Sequence, residues 1–587
     1  MHFAARLRQS RILCLVLAII SVQLAVPAVG AQVWTPRPAE SLNGAACTPD
    51  SGYDPARVYD AIIVGAGLSG LSAANELDHL QRSNLILEAN NRIGGRAFSA
   101  DIAGAMIDYG GAWIHGVPTN PLTPLADGLG FKRIRSNLDV PFFVNSTPAD
   151  EQTMHTYETA LDEYEQAVEM GAPAGQSQRA TGLYACHALE RIASRKITVA
   201  EACGQIARAG GHCRTLTTAE LHRQCALATT LPATDDSAEA YVIKNHAFAD
   251  VIPVIVDNAG PLESAEELKR TSTLDTAEFA AGEDDLVDRS MGELVKTVGA
   301  KAKVCLNSPV RRIDLSRDGR VKVTAGDRVY AAKTALVTVS VGVLKAGRID
   351  FVPRLPDDKL AAIKNLQMGN MQKVIVPFRE NIFRDQKPNS WVVYEGDLTP
   401  DQAAFAEKNH LPVVEASGQG RPVKRIVMAF VLLPLEKDLA IAFYGGDWAR
   451  ALEAQCKGAE HTSGPQAPCD AMAVDIARTA LFRMFTKEAV DRAIDASGIH
   501  VTRWSLDPTS FGAYSVAPPR MWIYKEILGD PVSDKAGVDR LYFSGEATGP
   551  PIFSGSYPAA WVSGLKAARA INATLLNAGP PEKPAAK

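Results

Sequence analysis

The sequence predicts a mixed α/β fold built on a Rossmann-like dinucleotide-binding domain, and three observations predict it. A short apolar strand, Tyr59 to Val64, runs into Gly65-Ala66-Gly67-Leu68-Ser69-Gly70 and then into an Ala/Leu-rich helical stretch. A second apolar strand, Asn84 to Leu87, follows that helix and ends in Glu88. The chain has 587 residues, more than one hydrophobic core organises, so at least two domains are expected.

Each element has a physical role. Gly65 allows a tight turn out of the strand, Gly67 lets the backbone approach a pyrophosphate, and Gly70 lets helix and strand pack closely, with Ala66 and Ser69 completing the turn. The helix N-terminus then faces the anion. Glu88 sets a carboxylate where it can accept from both ribose hydroxyls. The glycine motif alone is weak evidence; strand, glycines, helix, second strand and terminal Glu in this order specify a dinucleotide site. Just past Glu88, Arg92 and Arg96 flank the Gly94-Gly95 pair. There a guanidinium can reach the pyrophosphate while flexible backbone passes beside it.

The run Glu88 to Arg96 resembles the FAD signature of the flavin amine oxidase family, and Asp108-Tyr109-Gly110-Gly111-Ala112-Trp113-Ile114-His115-Gly116 resembles the family's next block. The resemblance extends from about 58 to 575 and is weak across 140 to 280. It implies FAD as cofactor, with Arg96, Gly111, Ala112 and Trp113 beside it and the backbone of Val310 against adenine. Leu541 to Gly549 resembles the family's C-terminal return to FAD. There Glu546 would contact ribityl or phosphate groups, and the helix from Ser554 to Ile571 would direct its N-terminus at the N1/O2 edge of the flavin.

The same resemblance places a reacting constellation. Lys373 matches the lysine that holds a water near flavin N5, Trp504 an aromatic packed near the ring, and Tyr514 one wall of the cage through which the amine reaches it. The second wall aligns with Ser556, or with Tyr557 after a local shift. Ala513 occupies the position where monoamine oxidases carry the cysteine that bonds to flavin, so the implied FAD is noncovalent. His115 is assigned to binding a substrate nitrogen rather than to acid–base chemistry. Amino-acid oxidases of the family place an arginine in this block, and no equivalent is present.

What the resemblance implies is a discontinuous Rossmann-like FAD-binding domain with an inserted substrate-binding domain containing a mixed β-sheet and helices. Residues 58–130, 281–345 and 501–577 are assigned to the FAD domain. The substrate domain takes 131–280, largely helical, and 346–500. A polar extension, 32–57, precedes them, and a Pro/Ala/Lys tail, 578–587, follows. Within 281–345 an amphipathic helix is expected over Leu286 to Thr297, with short strands at Lys303 to Leu306, Arg320 to Thr324 and Ala335 to Val339. The implied activity is that of an exported FAD-dependent amine oxidase of polyamine type, with O2 as acceptor. Rival readings are a monoamine oxidase, a periplasmic amine dehydrogenase that passes electrons to a cytochrome, and a non-catalytic flavin-binding module.

Composition bounds the partners and the compartment. Arg6, Arg8 and Arg11 precede an apolar run, Ile12 to Val26, that ends in small residues at Pro27 to Ala31, the pattern of a signal peptide over 1–31. Its removal takes three positive charges and no negative one, changing the net charge from −5 to −8. That argues against nucleic acid and mildly favours cationic substrates. Eight of the nine cysteines remain, an even number that favours disulfides in an exported chain. Cys456 and Cys469 bracket a Gly/Pro-containing loop and form the expected pair. Cys305 reads as a buried thiol in an apolar strand. The spacings of Cys186, Cys203, Cys213 and Cys225 around His212 and His222 fit no structural zinc site, so no metal is expected.

Overall fold

The computed structural model describes residues 57–160 and 258–577 apart from short stretches within them. The signal peptide, the extension up to residue 56, the 578–587 tail, Cys186, Cys203, Cys213, Cys225, His212 and His222 lie outside the described residues, as does most of 131–280.

Strand β1 (Val58–Val64), helix α1 (Leu68–His79) and β2 (Asn84–Leu87) form the first crossover of the first sheet, with β1 and β2 parallel. The chain returns as α2 (Met291–Val298), β3 (Val304–Cys305), β4 (Val310–Arg317), β5 (Arg320–Ala325) and β6 (Arg328–Val337). The sheet order is β3-β2-β1-β6-β5-β4. Ile62 and Val64 join one apolar cluster while Ala61 and Ile63 join another. This sheet is therefore covered on both faces, which is why β1 reads as a continuous apolar run.

Three expectations in this region are corrected. Helix α2 begins at Met291, because Ser290 accepts from the Glu293 N–H; Leu286 instead lies in a short strand that pairs with Trp113. β6 begins seven residues before Ala335, because Gly326, at φ +56°, closes a hairpin with β5. Cys305 is buried and disulfide-bonded to a partner outside the described residues; an apolar setting suits a bridged sulfur as well as a thiol.

The second sheet contains β7 (Met371–Pro377), β8 (Ser390–Asp397), β9 (Arg421–Leu433) and β10 (Leu439–Gly445), in the order β7-β10-β9-β8. Phe143–Val144 adds to β8, so the described start of 131–280 holds short strands before residues 151–160 turn helical. Aromatic and β-branched residues at Phe142 to Val144, before a turn at Asn145 with φ +55°, favour that outcome. Alternation along β7 sends Val374 and Val376 to one face and Ile375 to the other, where Trp504, Tyr109 and Phe443 also pack. Lys373 shares the Ile375 face. Helices α3 (Gly446–Ala454) and α4 (Ala471–Phe485) cover the opposite face, and Cys456 is bonded to Cys469 between them.

The chain then returns to the first sheet. Strand β11 (Asp539–Phe543) pairs in parallel with β6, and α5 (Tyr557–Asn577) packs beside α1. Among the described residues no helix is long and apolar enough to cross a membrane.

Candidate active site

The glycine turn has the geometry of a phosphate cradle. Gly65 has φ +106°, and a Cβ there would meet Thr338 Oγ1 at 2.8 Å; one on Gly70 would meet Gly65 O at 2.1 Å. A Cβ on Gly67 would meet nothing within 4 Å, so this face of the turn is open. Gly67 caps α1 without a side-chain hydrogen bond, and the first turn holds no acidic residue. The free N–H groups and the dipole are thus available to an anion.

Glu88 is buried beside that turn. Its oxygens accept from the Ala66 N–H at 2.7 Å and the Asn90 N–H at 2.8 Å. Burial nevertheless raises its pKa, against the opposing pull of those two donors. Each oxygen keeps a lone pair for a ribose hydroxyl. Ser308 N–H donates to Glu88 O at 2.7 Å, which brings the start of β4, at Val310, to the same end of the sheet. The Ser69 hydroxyl bonds to that of Ser544 at 2.6 Å, so it joins α1 to the segment after β11. Arg92 lies over Phe98, 4.1 Å from the ring centroid, and donates to Gly95 O.

Arg96 and Glu546, expected to contact the cofactor separately, are paired with each other at 2.8 Å. Arg96 also donates to Ala513 O at 2.9 Å, and Glu546 accepts from the Ser515 N–H and hydroxyl. Burial would raise the Glu546 pKa, but Arg96 and Ser515 outweigh it and hold the group below its ordinary value. Arg96 and Glu546 line a cleft with Val339, Ser340 and Gly545 at the ends of β6 and β11, where open parallel sheets bind ligands.

Where the sequence places the reacting groups, four consecutive carbonyls are each taken by a residue that the sequence singled out. Lys373 Nζ donates to Asp108 O and Gly110 O, Trp504 Nε1 to Tyr109 O at 3.1 Å, and the Tyr557 hydroxyl to Gly111 O at 2.9 Å. A Cβ on Gly111 would strike the Tyr557 ring at 2.9 Å, and one on Gly110 would overlap Arg96 O. Tyr557 therefore packs on this segment, whereas the Ser556 hydroxyl is turned to Phe553 O. Tyr514 lies against Gly555 and donates to Glu263 O at 2.5 Å.

Lys373 is 4% exposed. Burial pulls its pKa down to about 8, with Asp108 acting the other way. Its ammonium sits 5.2 Å from the Phe443 ring centroid and 6.0 Å from that of Trp113. Trp113, Trp391 and Phe443 form one aromatic cluster with centroid separations of 5.3 to 5.9 Å. His115 lies 6.2 Å from Trp113, and its Nδ1 bonds to Asp284 at 2.9 Å, with both side chains about one-third exposed. The other oxygen of Asp284 accepts from the Gly116 N–H. That engagement fixes the orientation of the ring.

The model of the flavin containing amine oxidoreductase family matches residues 68–572. The chain belongs to this family. Among its relatives, this amine oxidase is 25% identical over 517 residues to "Probable polyamine oxidase 4" of Arabidopsis thaliana, covering 86% of both chains. It is 24% identical to "Polyamine oxidase 1" of Zea mays, covering 87% of this chain and 89% of the relative. Its fold resembles wild-type putrescine oxidase bound to putrescine, with TM-score 0.59, 18% identity, and coverage of 88% and 99%. It likewise resembles cyclohexylamine oxidase from Brevibacterium oxydans IH-35A, with TM-score 0.57, 19% identity, and coverage of 89% and 100%. The amine oxidase takes FAD as cofactor. The open face at Gly67, the uncapped α1 and the buried Glu88 fit its dinucleotide portion.

Asp108, Asp284, Trp391 and Phe443 were not singled out from sequence. Asp284 meets His115 across 169 positions, and no motif or periodicity links the two. Alternation along β10 would have put Phe443 opposite Lys373 only with the pairing register known.

Proposed function

We propose that this enzyme is an exported oxidase of di- and polyamines. The observation that carries the reading is the effect of the site on its own amine. Burial draws the Lys373 ammonium down to about pKa 8, although two backbone carbonyls and the Trp113 and Phe443 rings favour its charge. A substrate amine entering beside it meets the same desolvation and is driven toward the neutral form that oxidation needs. FAD, when bound, supplies the acceptor for the hydride leaving the amine's α-carbon, and O2 as final oxidant leaves hydrogen peroxide.

The chain's own groups supply alignment and a dry setting. Two of the three donors on Lys373 go to carbonyls, and the third is available to hold the water that hydrolyses the imine. Tyr514 and Tyr557 form the walls that admit the amine, and the Trp113–Trp391–Phe443 faces receive a cation. His115, turned by Asp284, accepts from a distal substrate nitrogen. The names of the relatives, the net charge and the His115 block support polyamines over amino acids. The Arg-flanked leader and the Cys456–Cys469 bond support export.

A peroxide assay over diamines, polyamines, arylalkylamines and amino acids tests the substrate, with and without a soluble electron acceptor. Peroxide formed with di- and polyamines is expected. Turnover only with the added acceptor would make the protein a dehydrogenase, and equal rates with arylalkylamines would make it a monoamine oxidase.

A further inference from the structure

We propose that the Cys456–Cys469 disulfide positions the flavin site, by joining two buried carboxylates that grip the chain on either side of Trp504. Glu453 lies in the last turn of α3, three residues before Cys456, and is fully buried. One of its oxygens accepts both the Ser505 N–H, at 2.8 Å, and the Ser505 hydroxyl; the other takes no hydrogen bond. Asp470 directly follows Cys469 and is 2% exposed. It accepts from Arg503 through Nε at 3.1 Å and through Nη2, and Arg503 is itself buried. Arg503 and Ser505, the two neighbours of Trp504, thus each end on a buried carboxylate.

The disulfide sets the spacing of that pair. Cys456 Sγ lies 3.3 Å from Asp470 Oδ1, a packing contact, since a bridged sulfur has no proton to donate. The bond adds a covalent tie between the end of α3 and the turn before α4, which otherwise share only the packing of one apolar cluster, and its loss loosens the separation of the two carboxylates. The effect reaches the reacting groups directly. Trp504 donates to Tyr109 O between the two carbonyls held by Lys373. Thr502, one residue before Arg503, bonds Lys373 through both its N–H, at 3.0 Å, and its hydroxyl, at 2.8 Å. Segment 502–505 therefore sets Lys373 and Trp504 in register with each other, and small errors in such positions are costly.

A bond that served only to stabilise the folded chain would predict the same melting behaviour, so the test reads the flavin instead. It rests on Trp504 being part of the flavin site, which Trp504→Phe checks separately. Three changes are made in the full chain: Cys456→Ala with Cys469→Ala, Glu453→Gln, and Ser505→Ala. FAD affinity and the circular dichroism of the visible flavin band are measured where far-UV spectra remain native. The inference expects a changed band in all three and FAD weakened by about tenfold, the scale of one lost hydrogen bond. If the double cysteine variant does not fold, Asp470→Asn, which weakens the other carboxylate's hold on Arg503 and leaves every disulfide intact, replaces it. Variants that melt lower while band and affinity stay wild type would overturn the inference. A Trp504→Phe protein with an unchanged band would instead remove the site assignment beneath it.

Discussion

Lys373 carries an ammonium at 4% exposure, held by two carbonyls and faced by two aromatic rings. Its pKa falls from 10.5 to about 8 through burial. Between those values the unfolded chain binds a proton that the folded chain does not, so stability rises with pH across that window. Below about pH 8 the cost of the buried charge is fully present. Lys373→Met keeps the aliphatic stem and should abolish this rise, measured as Tm against pH from 7 to about 10.5. It should also slow flavin reduction, reoxidation or both by about tenfold or more. Unchanged stopped-flow rates would return Lys373 to a structural role. The lysine was legible in the sequence through its surrounding block, but its burial was not. A strand-heading lysine is ordinarily a solvated edge charge, and here β10 and Thr502 on the adjoining segment cover β7 on both sides.

At the scale of elements, the β1–α1 turn depends on the absence of side chains. A Cβ at Gly70 would lie 2.1 Å from Gly65 O, a backbone atom that cannot swing away. Gly70→Ala should therefore displace α1 from β1, at a cost of about 1 to 3 kcal/mol in stability. It should also weaken FAD, because the N-terminus of α1 is what moves. Equilibrium dialysis and a melting curve check both, and wild-type values in each would refute the cradle geometry. This element was readable in full, since its glycine spacing, apolar strand and terminal Glu88 are local signals. The helix expected from Leu286 was not, because the pairing of Leu286 with Trp113 is a contact between distant segments that competes with helical periodicity.

On the scale of the whole molecule, the candidate FAD site is assembled from chain segments far apart. The Gly65 turn, Arg96, the start of β4 and Glu546 meet at one end of a single sheet. A ligand that joins such segments stabilises the fold by mass action, by about 4 kcal/mol at a thousandfold excess over its dissociation constant. Melting temperature should rise with added FAD. Because Ala513 offers no thiol, acid precipitation should release all the flavin into the supernatant; yellow colour in the washed pellet would refute noncovalent binding. The sequence held the site's motifs but not its cross-links. Asp284 on His115, Glu453 on Ser505 and Asp470 on Arg503 are long-range pairs with no local spacing to announce them.

The central claim is that an amine held beside Lys373, Trp504, Tyr514 and Tyr557 is oxidised at bound FAD. Anaerobic mixing of the FAD-loaded protein with a di- or polyamine, followed by flavin absorbance, tests it most directly. The account predicts complete bleaching of the visible band in a single turnover, slowed in Lys373→Met. A fully loaded protein whose band no amine bleaches would contradict it.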